Sequence, residues 1–265
     1  MVKRIYITGS GGILGRHVLA AIAQFAPDAE VIRNTADLTN LSTISQDIDA
    51  AGPLDLVIHL AALVAVADVT KDPARGFAVN AAGTINLLAA LGSSPARLLQ
   101  CSTGHVYAPQ DTPIAESQTT EPLSLYGKSK LLGEQAAREI CAETGRSICV
   151  ARLFSIHDPQ QQGSYLRPTL ERRFASHDPE QPFELHGADG LRDFLTAKDA
   201  ARLLVRLALT DAEGVVNVGS GQPITVADFA REIAPFPVKI KSIGTSNNVF
   251  PDISLLKKYL GASNV

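Results

Sequence analysis

Apolar positions along this chain fall into short unbroken runs, separated by longer stretches in which they recur every third or fourth residue. The first run, 2–8 (Val-Lys-Arg-Ile-Tyr-Ile-Thr), fits a strand, and 13–25 carries an apolar stripe of helical period. The pattern repeats with a strand near 29–34, a helix near 41–51, an apolar strand at 54–62, a helix near 74–92 and a strand at 97–102. A long helix from about Tyr126 and a strand at 147–153 continue the series. Strands that are apolar at nearly every position are covered on both faces, so the alternation predicts an α/β fold with a doubly wound parallel sheet. Beyond 157 the pattern loosens. Residues 157–190 carry Gln160-Gln161-Gln162, several prolines and glycines and scattered apolar positions, which reads as a less regular insert. An Arg-Asp-Phe segment, a helix near 197–209, the strand Val215–Val218 and a small α/β tail follow.

Composition narrows the classes. The chain has 265 residues, 45% of them hydrophobic and 19% charged, with a formal net charge of -3. A disordered chain would be poorer in apolar residues. Without a basic stripe, neither nucleic acid nor an anionic membrane surface is the expected partner. Cys101, Cys141 and Cys149 show no metal-ligand spacing, so they read as small buried hydrophobes in a reducing compartment and no metal is expected. No secretory core or membrane-length apolar run occurs, and a soluble cytoplasmic protein is the expectation.

The chemistry begins at Thr8-Gly9-Ser10-Gly11-Gly12-Ile13-Leu14-Gly15, between the first strand and the first helix. Gly9 permits the tight turn, Gly12 admits a pyrophosphate to the backbone, and Gly15 lets helix and strand approach. The helix end that Ile13 and Leu14 open offers unpaired N–H groups and partial positive charge to phosphates. Where the second strand ends, an acidic residue that would bind a ribose 2′-hydroxyl is replaced by Arg33, which can accommodate a 2′-phosphate. NADP is therefore favoured slightly over NAD, although Arg33 also suits a solvated loop.

Tyr126-Gly127-Lys128-Ser129-Lys130 places a phenol and an ammonium four residues apart on one helix face. The cation is expected to lower the phenol pKa, so that the phenol exchanges a proton with a substrate oxygen. Upstream, Ser102 and Thr103 lie at a strand's carboxyl end, where open α/β sheets bind ligands; satisfying loop backbone is the alternative use of either hydroxyl.

Together these pieces resemble the extended short-chain dehydrogenase/reductase family, in its nucleotide-sugar epimerase, dehydratase and reductase branch. The resemblance spans nearly the whole chain. It rests also on Asp37-Leu38, His59-Leu60-Ala61-Ala62, Asn80, Ser102-Thr103 before Val106-Tyr107, Arg192-Asp193-Phe194 with Asp199, and Asn217-Val218-Gly219-Ser220-Gly221, in family order. It implies a Rossmann-type dinucleotide-binding portion, 1–154 plus about 192–220, and a small substrate-binding portion, about 155–191 plus 221–265. By position it implies that Asp37 and Leu38 flank the adenine, that Leu60, Ala61 and Ala62 line the cofactor groove, and that Asn80 supports the site from behind. Thr103 would be the catalytic hydroxyl and Tyr126 the acid/base. Lys130 would hold the nicotinamide ribose and tune Tyr126, and Arg192 would meet a sugar-nucleotide pyrophosphate.

Three departures stand out. Ser155 replaces an asparagine that helps bind substrate in the family, Gly104-His105 replaces the Asp-Glu of the dehydratases, and the insert and tail are compressed. His105 faces the substrate by position, either as a second acid/base or as a hydrogen-bonded loop residue. The short link Ile32–Leu38, without a helix, resembles that of sugar-nucleotide reductases. The expected activity is hydride transfer at C4 of a nucleotide-linked hexose, by a 4-epimerase or a 4-keto reductase. The alternatives are reduction or oxidation of a non-nucleotide carbonyl or alcohol, and a dinucleotide sensor without turnover. A homodimer through the helices near 80–91 and 127–142 is also expected.

Overall fold

The computed structural model describes residues 2–262. A glycine-rich turn joins β1 (Arg4–Thr8) to α1 (Ile13–Phe25), followed by β2 (Glu30–Arg33), α2 (Leu41–Ala51) and β3 (Leu56–His59). The expected strand at 54–62 thus stops at His59, and Leu60 to Ala65 form a loop. An unexpected short helix, α3 (Val66–Lys71), comes next, and the helix expected over 74–92 is assembled from α4 (Pro73–Phe77), a π-helical turn (Ala78–Ala82) and α5 (Gly83–Leu91). The break falls where Pro73 lacks an N–H to continue α3, and the Asp72 side chain restarts the helix by accepting from the Arg75 amide.

Next come β4 (Arg97–Thr103), a 3₁₀ turn (Gly104–Val106), the 20-residue α6 (Leu125–Thr144) and β5 (Ile148–Leu153). Ser124 caps α6 by accepting from the Gly127 amide, and Gly145 ends it in a left-handed conformation. The strands β1 to β5, with β10 (Gly214–Val218), form one parallel sheet in the order β2-β1-β3-β4-β5-β10. One face is sealed by α1 and α8 (Ala197–Ala208), around Ile5, Ile7, Ile58, Leu99, Ala151 and Leu204. The other is sealed by α2, α5 and α6, around Tyr6, Ile44, Val57, Leu87, Leu98 and Ala137. This is the doubly wound architecture that the run of apolar strands implies.

The insert is more regular than its sequence suggests. It contains β6 (Ser155–His157), α7 (Leu166–Ala175), β7 (Phe183–His186) and β8 (Leu191–Arg192). In α7 only Leu166, Leu170 and Phe174 mark the apolar face, a stripe too thin to read beside its charged residues. Leu170 and Phe174 nonetheless bury against Phe183, Leu185 and Phe229 in a separate small core. That lobe is closed by β9 (Phe194–Thr196) on β6, β11 (Ile224–Thr225) on β8, α9 (Val226–Ile233), and β12 (Ile240–Ile243) on β7. The last helix, α10 (Ser254–Leu260), returns to the large core through Leu256 and Leu260.

Candidate active site

Helix α1 differs from its neighbours at its start. Asn40 caps α2 and Thr196 caps α8 through side-chain oxygens, whereas α1 follows Gly12 with neither a capping side chain nor an acid in its first turn. The amides of Ile13, Leu14 and Gly15 therefore point outward without intrahelical acceptors. Gly9 takes φ 72°, and a Cβ on it would lie 2.6 Å from the Ala61 amide nitrogen; a Cβ on Gly15 would collide with the Gly9 carbonyl. On Gly12 the nearest atom would be 3.5 Å away. The first and last glycines thus let backbones meet, and Gly12 leaves bare backbone facing open space. A dinucleotide pyrophosphate fits such a cradle.

The loop after β3 puts Leu60, Ala61 and Ala62, all half-buried, beside that cradle. Arg33 stands exposed at the end of β2, paired in register with Ile7. Asp37 turns its carboxylate onto its own loop, accepting from the Thr39 amide at 2.9 Å and hydroxyl at 2.8 Å. The Leu38 side chain is buried in the core against Gly83, which leaves only its backbone to face an adenine.

Tyr126 lies in the first turn of α6, which sits close against the 3₁₀ turn because Gly127 has no Cβ to strike the His105 carbonyl. Gly133, further along, admits the Asn80 carbonyl of the π-helical turn in the same way. The phenol of Tyr126 lies near the Thr103 side chain, at the end of β4, and its ring meets His105 edge-on at 5.6 Å between centroids. Lys130, one turn on, is buried and donates to the Cys101 carbonyl at 2.7 Å.

The expectation that Lys130 lowers the Tyr126 pKa is corrected here. Burial drives the phenol above its ordinary value, and the nearby Thr103 side chain opposes this only in part. The ammonium is engaged by a carbonyl of β4, and burial pulls its own pKa down. Tyr126 is thus held as a neutral phenol, poised to donate its proton rather than accept one.

A cavity of about 210 Å³ is lined by His105, Tyr107, Leu123, Ser124, Phe154, Ser155, Arg192 and Asn247, among others, and His105 is the lining residue whose ring meets Tyr126. His105, Ser155 and Arg192 thus converge. His105 is held below the usual histidine range first by the protein crowded around it and second by the Arg192 charge. The Arg192 guanidinium donates to the carbonyls of Leu191 at 2.8 Å and Asn247 at 2.6 Å, and to Asn247 Oδ1 at 2.5 Å. Among the described residues no carboxylate pairs with it, so its charge is free to meet an anion. Asn247, which aims this guanidinium, comes from the irregular tail and carries no sequence signal. Asp193 faces away from the cavity, accepting from the amides of Ser220 at 2.8 Å and Gly221 at 2.6 Å.

Two buried polar chains reach the site from behind. In one, Thr8 Oγ1 lies 2.7 Å from His59 Nδ1, His59 Nε2 lies 3.0 Å from Thr84 Oγ1, and Thr84 donates to the Asn80 carbonyl at 3.0 Å. The Asn80 side chain holds both backbone groups of Leu63 and donates to Ser129 Oγ at 2.9 Å, and Ser129 donates to the Tyr126 carbonyl at 2.8 Å. In the other, Ser102 donates to Glu134 at 2.9 Å, Glu134 is ion-paired with Arg152, Arg152 donates to the Tyr107 hydroxyl at 2.7 Å, and that hydroxyl donates to Asn217 at 2.9 Å. The adjacency of Ser129 to Tyr126 was a usable signal for the first chain. Nothing in the sequence links Thr84, Glu134 and Arg152.

A bare-backbone cradle at the first turn of a doubly wound sheet, beside a Thr–Tyr–Lys cluster, defines a nicotinamide-dinucleotide oxidoreductase. The NAD dependent epimerase/dehydratase family matches residues 5–219, and the chain belongs to that family. It is 31% identical over 245 residues to the GDP-6-deoxy-D-mannose reductase of Pseudomonas aeruginosa, covering 88% of this chain and 80% of that one. To the GDP-6-deoxy-D-talose 4-dehydrogenase of Aggregatibacter actinomycetemcomitans it is 29% identical, covering 90% and 82%. The solved structure of RMD from Pseudomonas aeruginosa complexed with NADPH superposes with a TM-score of 0.86 at 27% identity, covering 98% of this chain and 92% of that one. The protein is an NAD(P)-dependent enzyme of the extended short-chain dehydrogenase type, acting within a family that handles nucleotide sugars.

Proposed function

We propose that the protein reduces a 4-keto group on a nucleotide-linked 6-deoxyhexose, or interconverts the C4 epimers of such a sugar, with NADP(H) as the preferred cofactor. The observation that carries this reading is one cavity lined both by His105, whose ring meets that of the neutral phenol Tyr126, and by an Arg192 guanidinium that no carboxylate of the described residues pairs. The nicotinamide, when bound, supplies or takes up the hydride. In the reducing direction Tyr126 gives its proton to the sugar oxygen as the carbonyl carbon becomes a carbinol, and Thr103 holds that oxygen in line. Lys130 would hold the nicotinamide ribose beside the phenol, and solvent returns the proton to Tyr126. Arg192 binds the pyrophosphate, with His105, Ser124 and Ser155 along the sugar. Arg33, exposed at the end of β2, offers a guanidinium suited to a 2′-phosphate, which supports NADP over NAD. The same reading carries a homodimer through α5 and α6, where Ile85 and Leu132 are exposed.

The test is a panel of GDP-, dTDP- and UDP-linked hexoses and 4-keto-hexoses with each cofactor, read by nicotinamide absorbance and product separation. The expected result is stoichiometric NADPH oxidation on a keto-sugar, or epimer formation with cofactor retained. Tyr126→Phe should lower turnover about a thousandfold while leaving NADPH affinity unchanged. Arg192→Ala should raise the sugar-nucleotide KM at least tenfold. Turnover of free carbonyl compounds with no response to Arg192→Ala would transfer the chemistry to a non-nucleotide substrate.

A further inference from the structure

The chain from Thr8 to Tyr126 can be read proton by proton. Thr84 has one hydroxyl proton, and it lies on the Asn80 carbonyl, so the oxygen must accept from His59 Nε2. The other ring nitrogen, Nδ1, is then an acceptor and receives the Thr8 hydroxyl proton; the Thr8 oxygen in turn accepts from the Ala61 amide at 3.2 Å. The bonds from the Ala61 amide through Thr8, His59 and Thr84 therefore all point one way and end on the Asn80 carbonyl. The Asn80 side chain joins Leu63 of the loop to Ser129, and so to the backbone of Tyr126. No member can reverse without orphaning a neighbour. Thr8, His59, Thr84, Asn80 and Ser129 are each at most 1% exposed, so water cannot substitute for a lost partner. A charged imidazole would donate from both nitrogens and break the order at Thr8. Burial first, and the Lys130 charge second, push His59 down to about 3, so the ring stays neutral.

We propose that His59 and Thr84 are positioning residues that lock the cofactor-groove loop, 60–63, to the catalytic turn of α6, so that the phenol of Tyr126 and the bound nicotinamide keep one fixed separation. This rests on the functional reading above. His59 and Thr84 touch neither cofactor nor substrate; they act through Asn80, Ser129 and the backbone of Tyr126. Removing a middle member severs the tie that Ala61 and Thr8 make to Asn80 and leaves the loop held to it through Leu63 alone, without removing any contact to a ligand.

The probes are NADPH and the keto-sugar found by the panel, applied to Thr84→Val, which keeps the shape and removes the hydroxyl, and Thr84→Ser, which keeps the hydroxyl. Thr84→Val should bind NADPH with an affinity near wild type but lose kcat about tenfold or more at little changed KM, and Thr84→Ser should recover most of it. Hydrogen exchange gives a readout without turnover: NADPH should protect the Tyr126–Lys130 amides in the wild type and in Thr84→Ser, and should not in Thr84→Val. Nitrogen NMR should place the His59 proton on Nε2. Wild-type kcat and protection in Thr84→Val, or a proton on Nδ1, would overturn the lock while leaving the enzyme's function standing. A wild type that binds NADPH and shows the protection but turns over no nucleotide sugar would support the lock and overturn the substrate reading.

Discussion

The two polar chains behind Tyr126 are built on opposite principles. The first, from Thr8 through His59 and Thr84, holds no net charge and is ordered entirely by where its protons sit. The second, from Ser102 through Glu134 and Arg152 to Tyr107, is organised around an ion pair whose side chains are 1% and 4% exposed. A neutral chain costs little when intact, and it fails by misplacing what it positions. A buried ion pair stores much larger opposing terms, and it fails by stranding a charge. The catalytic helix therefore has one support that governs geometry and another that governs stability.

The largest effect should come from splitting the charged chain. Glu134→Ala leaves the Arg152 guanidinium buried and unpaired, a loss of about 3–5 kcal/mol, measured by urea unfolding. The pair Glu134→Leu with Arg152→Met should lose much less, because both charges leave together. A double variant as unstable as the single one would show that Tyr107 and Ser102, not the ion pair, carry this support.

The next effect is in pH. His59 binds a proton near pH 6.5 when unfolded and near 3 when folded, so between these values the unfolded chain holds more protons. Stability should be full above about pH 6.5 and fall as pH drops, by roughly 1.4 kcal/mol per unit for this one group. His59→Asn, melted from pH 4.5 to 8, should show a shallower acid slope than the wild type. An unchanged slope would assign the acid loss to the carboxylates, several of which, such as Asp55 with its backbone amide donors, also have lowered pKa values.

The smallest effect should be that of Ser102→Ala, which removes one bond to a carboxylate that keeps its arginine, about 1–3 kcal/mol by thermal melting.

The sheet, its order of helices and the glycine turn were legible because each is written in local pattern. Unbroken apolar strands mean a covered sheet, and Gly9, Gly12 and Gly15 sit where backbones must meet or stay bare. Tyr126, Lys130 and Thr103 were legible as residues, but their electrostatics were not. Spacing along a helix says that Lys130 is near Tyr126; it does not say that Cys101 offers the ammonium a carbonyl, or that burial outweighs the charge. Helix α7 hid because a few buried side chains, Leu170 and Phe174 among them, suffice to anchor it against a core whose other aromatic residues come from distant segments. Asn247, 55 residues from Arg192, is joined to it only by folding.

The direct run from β2 into α2 leaves β2 as the outermost strand of the large sheet, with one row of backbone groups unpaired. Such a margin invites another chain to zip onto it. Here the margin is four residues long, opens on Glu30 and closes on Arg33, both exposed, with Arg4 of the neighbouring strand leaning across to Glu30 at 3.6 Å. An incoming strand would have to strip water from both charges to gain a handful of bonds. Arg33, offered above as a ligand for phosphate, thus doubles as a guard against self-association, and replacing it with a neutral residue would endanger solubility as well as cofactor choice.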